Sequence, residues 1–169
     1  MKYLALVALG VCTCVGPVSA QTNVAPDGLT IYGRAEYDWQ LRTATGGTIS
    51  LEDYRGRVLF INLWATWCAP CRAELASIER LRDALRDTDV AFLMVSPEQP
   101  KTVQRFLRRH RYDLPALTEA ERMPAAFGFR AVPTTFVVDR AGRIVMRHRG
   151  AAVWDQESVE TFLRHLAQR

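Results

Sequence analysis

The chain has little of what a metal centre needs. Four cysteines and three histidines stand among 169 residues, and two of the cysteines, Cys12 and Cys14, lie in an N-terminal segment unlike the rest. A structural zinc site takes about four ligands. His110, His148 and His165 stand singly, far apart, with no ligand-like spacing, so no metal is expected. No apolar run reaches the ~20 residues of a membrane-spanning helix. There is neither an internal repeat nor a low-complexity tract. Charge of one sign is also modest: the formal net charge of +4 is carried mostly by arginine spread along the chain. That describes a solvated surface, and no nucleic-acid partner is expected. The one basic run, RFLRRHR at 105 to 111, fits the wet face of a helix: Arg108, Arg109 and Arg111 outward, Phe106 and Leu107 buried.

With 49% hydrophobic and 24% charged residues, the chain suits one globular domain with a core of its own. The first twenty residues are different material. MKY gives a positive start, Leu4 to Val15 an apolar run broken by Gly10 and Thr13, and Val18-Ser19-Ala20 the small residues a signal peptidase prefers. The segment predicts a cleaved export signal over 1–20 and an extracytoplasmic, periplasmic-type location without membrane insertion after cleavage. An uncleaved anchor extended by Gly16 to Ala20 is the competing reading. Lipoprotein processing fits worse, because Val11 and Thr13 precede Cys12 and Cys14. Polar, turn-rich QTNVAPDG makes 21–28 a linker, which leaves 29–169 as the folded domain.

Within that domain, Leu29 to Leu51 is β-like, and YDWQL and TIS flanking Gly46-Gly47 predict a hairpin. VLFINLW, 58 to 64, and VAFLMV, 90 to 95, are continuous apolar runs of strand length, as in strands covered on both faces. Leu75, Ile78, Leu81 and Leu85 recur at helical spacing; Val103, Phe106 and Leu107 mark a second helix, and MPAAFGF a short helical turn. TTFVVD and RIVMRH flank Arg140-Ala141-Gly142 as another hairpin. Asp155 is placed to cap a last helix carrying Val159, Phe162, Leu163 and Leu166. The order predicts a three-layer α/β domain: a mixed central sheet with helices on both faces. Its binding chemistry belongs at the carboxyl ends of the strands.

There, between VLFINL and the next helix, stands WATWCAPC, residues 64 to 71. The pair Cys68 and Cys71 is open to three readings: a redox couple, half a metal site, or a local staple. The metal reading lacks further ligands, and a staple closing so short a loop stabilises little. The redox reading has a mechanism. Only the thiolate is a nucleophile, and the unpaired N–H groups of a helix's first turn favour an anion on Cys68. Pro70 fits that turn, where its missing N–H costs nothing. Cys68, preceding the helix, is the expected exposed attacker, and Cys71, one turn in, the resolver that displaces reduced product from a mixed disulfide.

WATWCAPC, the strand VLFINL before it and AVPTTFVVD at 131 to 139 after it together resemble the thioredoxin superfamily, and more closely its exported TlpA/ResA-like thiol-disulfide oxidoreductases. The resemblance runs from about Asp38 to the C-terminus, through the trailing Gly150 to Trp154. It implies a thioredoxin-like fold with an extra N-terminal hairpin and, in the 61 residues between Cys71 and Pro133, a central helical insertion. It also implies a cis peptide between Val132 and Pro133 facing the cysteines, which would leave the Val132 backbone free for an extended substrate. Trp67, Val132 and Thr134 are then the candidate substrate contacts, while Trp64 is assigned to the core. Two features depart from plain thioredoxin. Asn62 stands where thioredoxins carry a buried aspartate. Glu74 matches a glutamate of the TlpA/ResA-like group and is the candidate proton acceptor for Cys71; a first-turn acid that only suits the helix dipole is the blander alternative.

The function this implies is an exported thiol-disulfide oxidoreductase without a cofactor, acting as a reductant of protein disulfides. Ala69 between the cysteines supports that direction, since strongly oxidising relatives place a histidine there. Apocytochromes c during maturation, or copper-site proteins, are the substrates the resemblance implies, with a membrane-embedded electron donor. A peroxiredoxin is set aside, because Ala65 and Ile61 stand where its pattern has Thr or Ser and Pro. A Cu(I)-binding, metallochaperone-like module using the same two thiolates is the alternative from the binding class.

Overall fold

The computed structural model describes residues 28–119, 122–128 and 131–169; the expected export signal and all of the expected linker except Gly28 lie outside them. Among the described residues the strands are β1 (Gly33–Arg34), β2 (Gln40–Thr43), β3 (Thr48–Ser50), β4 (Val58–Leu63), β5 (Val90–Ser96), β6 (Ala116–Glu119), β7 (Thr134–Val138) and β8 (Arg143–Arg149). The helices are α1 (Ala69–Ala84), α2 (Pro100–His110) and α3 (Glu157–Ala167), with short 3-10 turns at Leu51–Tyr54 and Ala125–Phe127. One mixed sheet runs in the order β1-β8-β7-β4-β5-β6-β2-β3. β4, β5 and β6 are mutually parallel, joined by α1 and α2 as crossovers; β7 lies antiparallel beside β4, and β8 antiparallel beside β7.

Every residue of β4 and β5 is buried, as their unbroken apolar runs predict. Side chains of a strand alternate between faces, and the core divides accordingly. Val58, Phe60, Phe92, Met94 and Val137 join Leu75, Ile78 and Leu81 of α1, Val103 and Leu107 of α2, and Leu163 and Leu166 of α3. Leu59, Ile61, Leu63, Leu93 and Phe136 face the other way, onto Tyr37, Trp39, Leu51 and Phe127. Both faces are covered, then, but unequally. The three α-helices pack on one, and the N-terminal segment with the two 3-10 turns closes the other.

Three features differ from the sequence reading. β6 and β1 have too few residues to show a period; each becomes a strand only through its neighbours, β6 between β5 and β2, β1 along β8. Pairing with β6 is also what ties the β2–β3 hairpin, expected around Gly46-Gly47, to the sheet edge. Asp155 does not cap α3. Gln156 holds that position without a side-chain bond, and Asp155 accepts from Arg80 of α1 at 2.6 Å. A guanidinium is a stronger partner for a carboxylate than a neutral backbone N–H, and it holds the Asp155 carboxyl below its ordinary value.

The β7–β8 turn is built around Gly142. Its N–H donates to the Asp139 carbonyl at 2.9 Å and its φ of 76° lies in the left-handed region. A Cβ there would sit 3.2 Å from the Tyr37 ring. Gly142→Ala should therefore lower stability by about 1–3 kcal/mol, seen as a lower urea midpoint with an unchanged slope. An unchanged midpoint would show that the turn relaxes freely.

Candidate active site

The end of β4 is held before the cysteines begin. Trp64, buried, donates its backbone N–H to Val95 at 3.0 Å. Thr66 is bound twice to Glu98, through its N–H at 2.6 Å and its hydroxyl at 2.7 Å, and Ser96 donates to the same carboxylate. Trp67 is left on the surface, 69% exposed, immediately before Cys68. The Cys68 N–H reaches back to Ala65 at 3.1 Å, closing the turn that starts α1.

Cys68 is the N-cap of α1, with Pro70 in the first turn. Its Sγ accepts the Cys71 N–H at 3.2 Å. The two sulfurs are joined as a disulfide, with Cα atoms 5.3 Å apart. Cys68, expected to be exposed, is buried at 6% exposure, because the Val132 carbonyl of the opposite loop lies 3.7 Å from its Sγ. Cys71 is not exposed at all, so the first of the two lies nearer the surface. When that bond opens, negative charge on Cys68 meets the Cys71 N–H and the positive end of the helix dipole.

Opposite lies the loop before β7. The Val132–Pro133 peptide is cis, and the Val132 carbonyl oxygen is 3.7 Å from Cys68 Sγ. Among the described residues no other hydrogen bond engages Val132. Thr134 does not serve as a substrate contact. It is 1% exposed, its hydroxyl donates to Ala131 at 2.8 Å, and its backbone is paired with Leu63 and Arg149. It fastens the loop instead.

Beneath the disulfide the α1 side of the sheet carries a polar row that sequence reasoning found only in part. Asn62 of β4, Thr135 of β7 and His148 of β8 are neighbours in register. Asn62 Nδ2 donates to Thr135 at 2.9 Å and to Glu74 Oε1 at 2.8 Å. Glu74, 1% exposed, also accepts from Trp154 Nε1 at 2.9 Å and the Ala152 N–H at 3.2 Å. It lies one turn beyond Cys71 and is buried. Burial pushes its carboxyl above the ordinary value, against the opposing pull of the Trp154, Asn62 and Ala152 donors and of His148. A neutral Glu74 has one proton to place, and Asn62 Oδ1, buried without a partner among the described residues, could take it after a half-turn of the amide. Trp154 was visible in the sequence only as the end of a trailing motif. Thr135 and His148 gave no signal, since single polar residues inside apolar strands have no spacing to read.

A reversible disulfide at a helix N-terminus, a cis-proline loop against it and a buried acid behind define a thioredoxin-like redox protein, and the comparisons agree. Residues 32–147 match the AhpC/TSA family. The thiol-disulfide oxidoreductase ResA of Halalkalibacterium halodurans is 30% identical over 133 residues, 78% of this chain and 74% of the relative. The thioredoxin-like protein YneN of Bacillus subtilis is 33% identical over 70% of this chain and 71% of its own. Among solved structures, a putative thiol-disulfide oxidoreductase from Bacteroides vulgatus superposes with a TM-score of 0.69 at 26% identity, over 82% of this chain and 97% of that one.

The chain belongs to the AhpC/TSA family, on its thioredoxin-like, ResA-type side. It is a thiol-disulfide oxidoreductase with a CxxC pair at Cys68 and Cys71.

Glu74 gives a pH test. Because burial keeps it protonated to higher pH than in the unfolded chain, its contribution favours the fold fully below the ordinary carboxylate range. That contribution is lost as pH rises through the folded value. Glu74→Gln, which mimics the neutral acid with its NH2 on the turned Asn62 amide, should be about as stable as the natural protein near about pH 4. It should become the more stable of the two toward about pH 8, where the natural carboxyl must ionise while buried. Denaturation midpoints across that range decide it; parallel curves would show that Glu74 does not titrate as its burial implies.

Proposed function

We propose that the protein is exported and works outside the cytoplasm as a reductant of protein disulfides, cysteine pairs of apocytochromes c being the substrate class favoured. The N-terminal segment supports export, and among the described residues no helix is long and apolar enough to cross a membrane. The observation that carries the reading is the cis-proline loop set against Cys68 at the helix N-terminus, with Cys71 wholly buried behind it. In the reduced protein the Cys68 thiolate attacks one sulfur of a substrate disulfide. A mixed disulfide forms and the other substrate sulfur leaves as thiolate. Cys71 gives its proton to Glu74 and attacks the Cys68 sulfur, the enzyme disulfide closes, and the second substrate sulfur also leaves as thiolate. The substrate has gained two electrons, and its two thiolates take one proton released by Glu74 and one from solvent. Glu74 suits the proton step because its raised affinity brings it closer to that of a thiol. Trp67 and the Val132 backbone receive the substrate chain. A membrane-embedded donor would return the electrons. The Cu(I) alternative would rest on the same two sulfurs, and among the described residues no third ligand is gathered with them.

Two measurements test this. Cys71→Ser should accumulate a mixed disulfide with a substrate protein, visible on non-reducing gels and released by a small thiol, while Cys68→Ser should not form it. Titration in thiol buffers should place the couple near about −270 mV. A value near about −120 mV would mark an oxidant and overturn the proposed direction.

A further inference from the structure

Beside the disulfide, between the loop that precedes it and α2, runs a groove of about 440 Å³. Its walls include Thr66, two residues before Cys68, and Arg72, the residue after Cys71. α2 supplies Arg105, Phe106, Arg109 and His110 from one face. The floor is aromatic: Phe106 packs on buried Trp64 with centroids 5.7 Å apart and on His110 at 4.4 Å. The rim is cationic. Among the described residues no carboxylate pairs with Arg72, Arg105 or Arg109; Arg42, Arg108 and Arg111 are unpaired too, but they do not line this groove. Glu98 accepts from Thr66 and Ser96 and makes no ion pair with the three arginines.

Local helix chemistry accounts for only part of this. Arg109 and His110 suit the negative C-terminal end of α2. Arg105 does not share that reason, and with Arg109 it forms a like-charge pair four residues apart, which opposes the helix. Arg72 is in the first turn of α1, the end where the dipole disfavours a cation. Three guanidinium groups thus line one groove, two of them against local preference and none paired with a carboxylate among the described residues. Thr66 and Arg72 bring its wall within two residues of Cys68 and next to Cys71 in sequence.

We infer that this groove is the docking site for an acidic, extended segment of the partner protein flanking its cysteine pair, the carboxylates lying on Arg72, Arg105 and Arg109 and an apolar side chain on Phe106. The inference rests on the redox function proposed above and adds to it the charge of the partner. Three disulfide peptides identical except for flanking Glu, Gln or Lys test it, with single-turnover reduction by the dithiol form of the protein. The Glu peptide should react about tenfold faster than the Lys peptide at low salt, and the difference should close as salt screens the rim. The double substitution Arg105→Glu and Arg109→Glu should reverse that order while leaving the rate with uncharged hydroxyethyl disulfide unchanged. Equal rates for the three peptides, or an order that survives the double substitution, would overturn the proposal. So would preferential binding of a single-stranded oligonucleotide with no discrimination among the peptides. Failure to reduce even hydroxyethyl disulfide would instead remove the redox function, and the docking site with it.

Discussion

One buried carboxyl holds the working parts together. Glu74 projects from α1 into the sheet and is met by Asn62 from β4 and by Ala152 and Trp154 from the segment after β8. Desolvating such a group costs several kcal/mol unless donors replace water. Three donors from two separate parts of the chain do so here. The contact therefore has a geometry that a purely apolar interface would not impose, because a small slide of α1 would strand the carboxyl. Trp154 extends the constraint, lying edge-on to both Phe60, at 5.1 Å, and His148, at 5.4 Å. Since Cys68 and Cys71 are the start of that same helix, fixing α1 at Glu74 fixes the sulfurs.

Topology supplies the other half of the site. β4 runs parallel to β5 and antiparallel to β7, so the end of β4 lies beside the beginning of β7, with Leu63 opposite Thr134. The chain leaving β4 carries Cys68, and the chain entering β7 carries Val132 and Pro133. Two loops distant in sequence meet because one strand ends where its antiparallel neighbour starts. The Thr134 hydroxyl on Ala131 and the Gly150 N–H on the Pro133 carbonyl, at 2.9 Å, hold the second loop in place.

What the sequence made legible follows from the length of each signal. VLFINL and VAFLMV are unbroken, the apolar positions from Leu75 to Leu85 keep their period over about three turns, and the β7–β8 turn has its glycine where the backbone needs it. Each records a local requirement repeated often enough to read. β6 is four residues whose strand character comes from β5 and β2 on either side, and nothing in ALTE anticipates both neighbours. Asp155 shows the converse: a sound local rule for capping lost to Arg80, a partner seventy-five positions away. In the site, Cys68, Cys71 and Glu74 were readable from spacing and family resemblance. The link from Glu74 through Asn62 and Thr135 toward His148 was not, being three separate strands brought into register.

The helix that carries the chemistry has two unlike faces at its N-terminal end. Cys71 and Glu74 point inward, where low dielectric makes a proton's position costly to change and so worth controlling. Arg72, between them in sequence, points to solvent and toward α2. A buried residue there can tune the resolving sulfur but cannot meet a partner; an exposed one can meet a partner with little effect on a proton held among Asn62, Ala152 and Trp154. Because a helix turns about 100° per residue, neighbouring positions can answer to these two demands separately. Reactivity and recognition are in this way assigned to adjacent residues rather than shared by one, and either can change without displacing the disulfide between them.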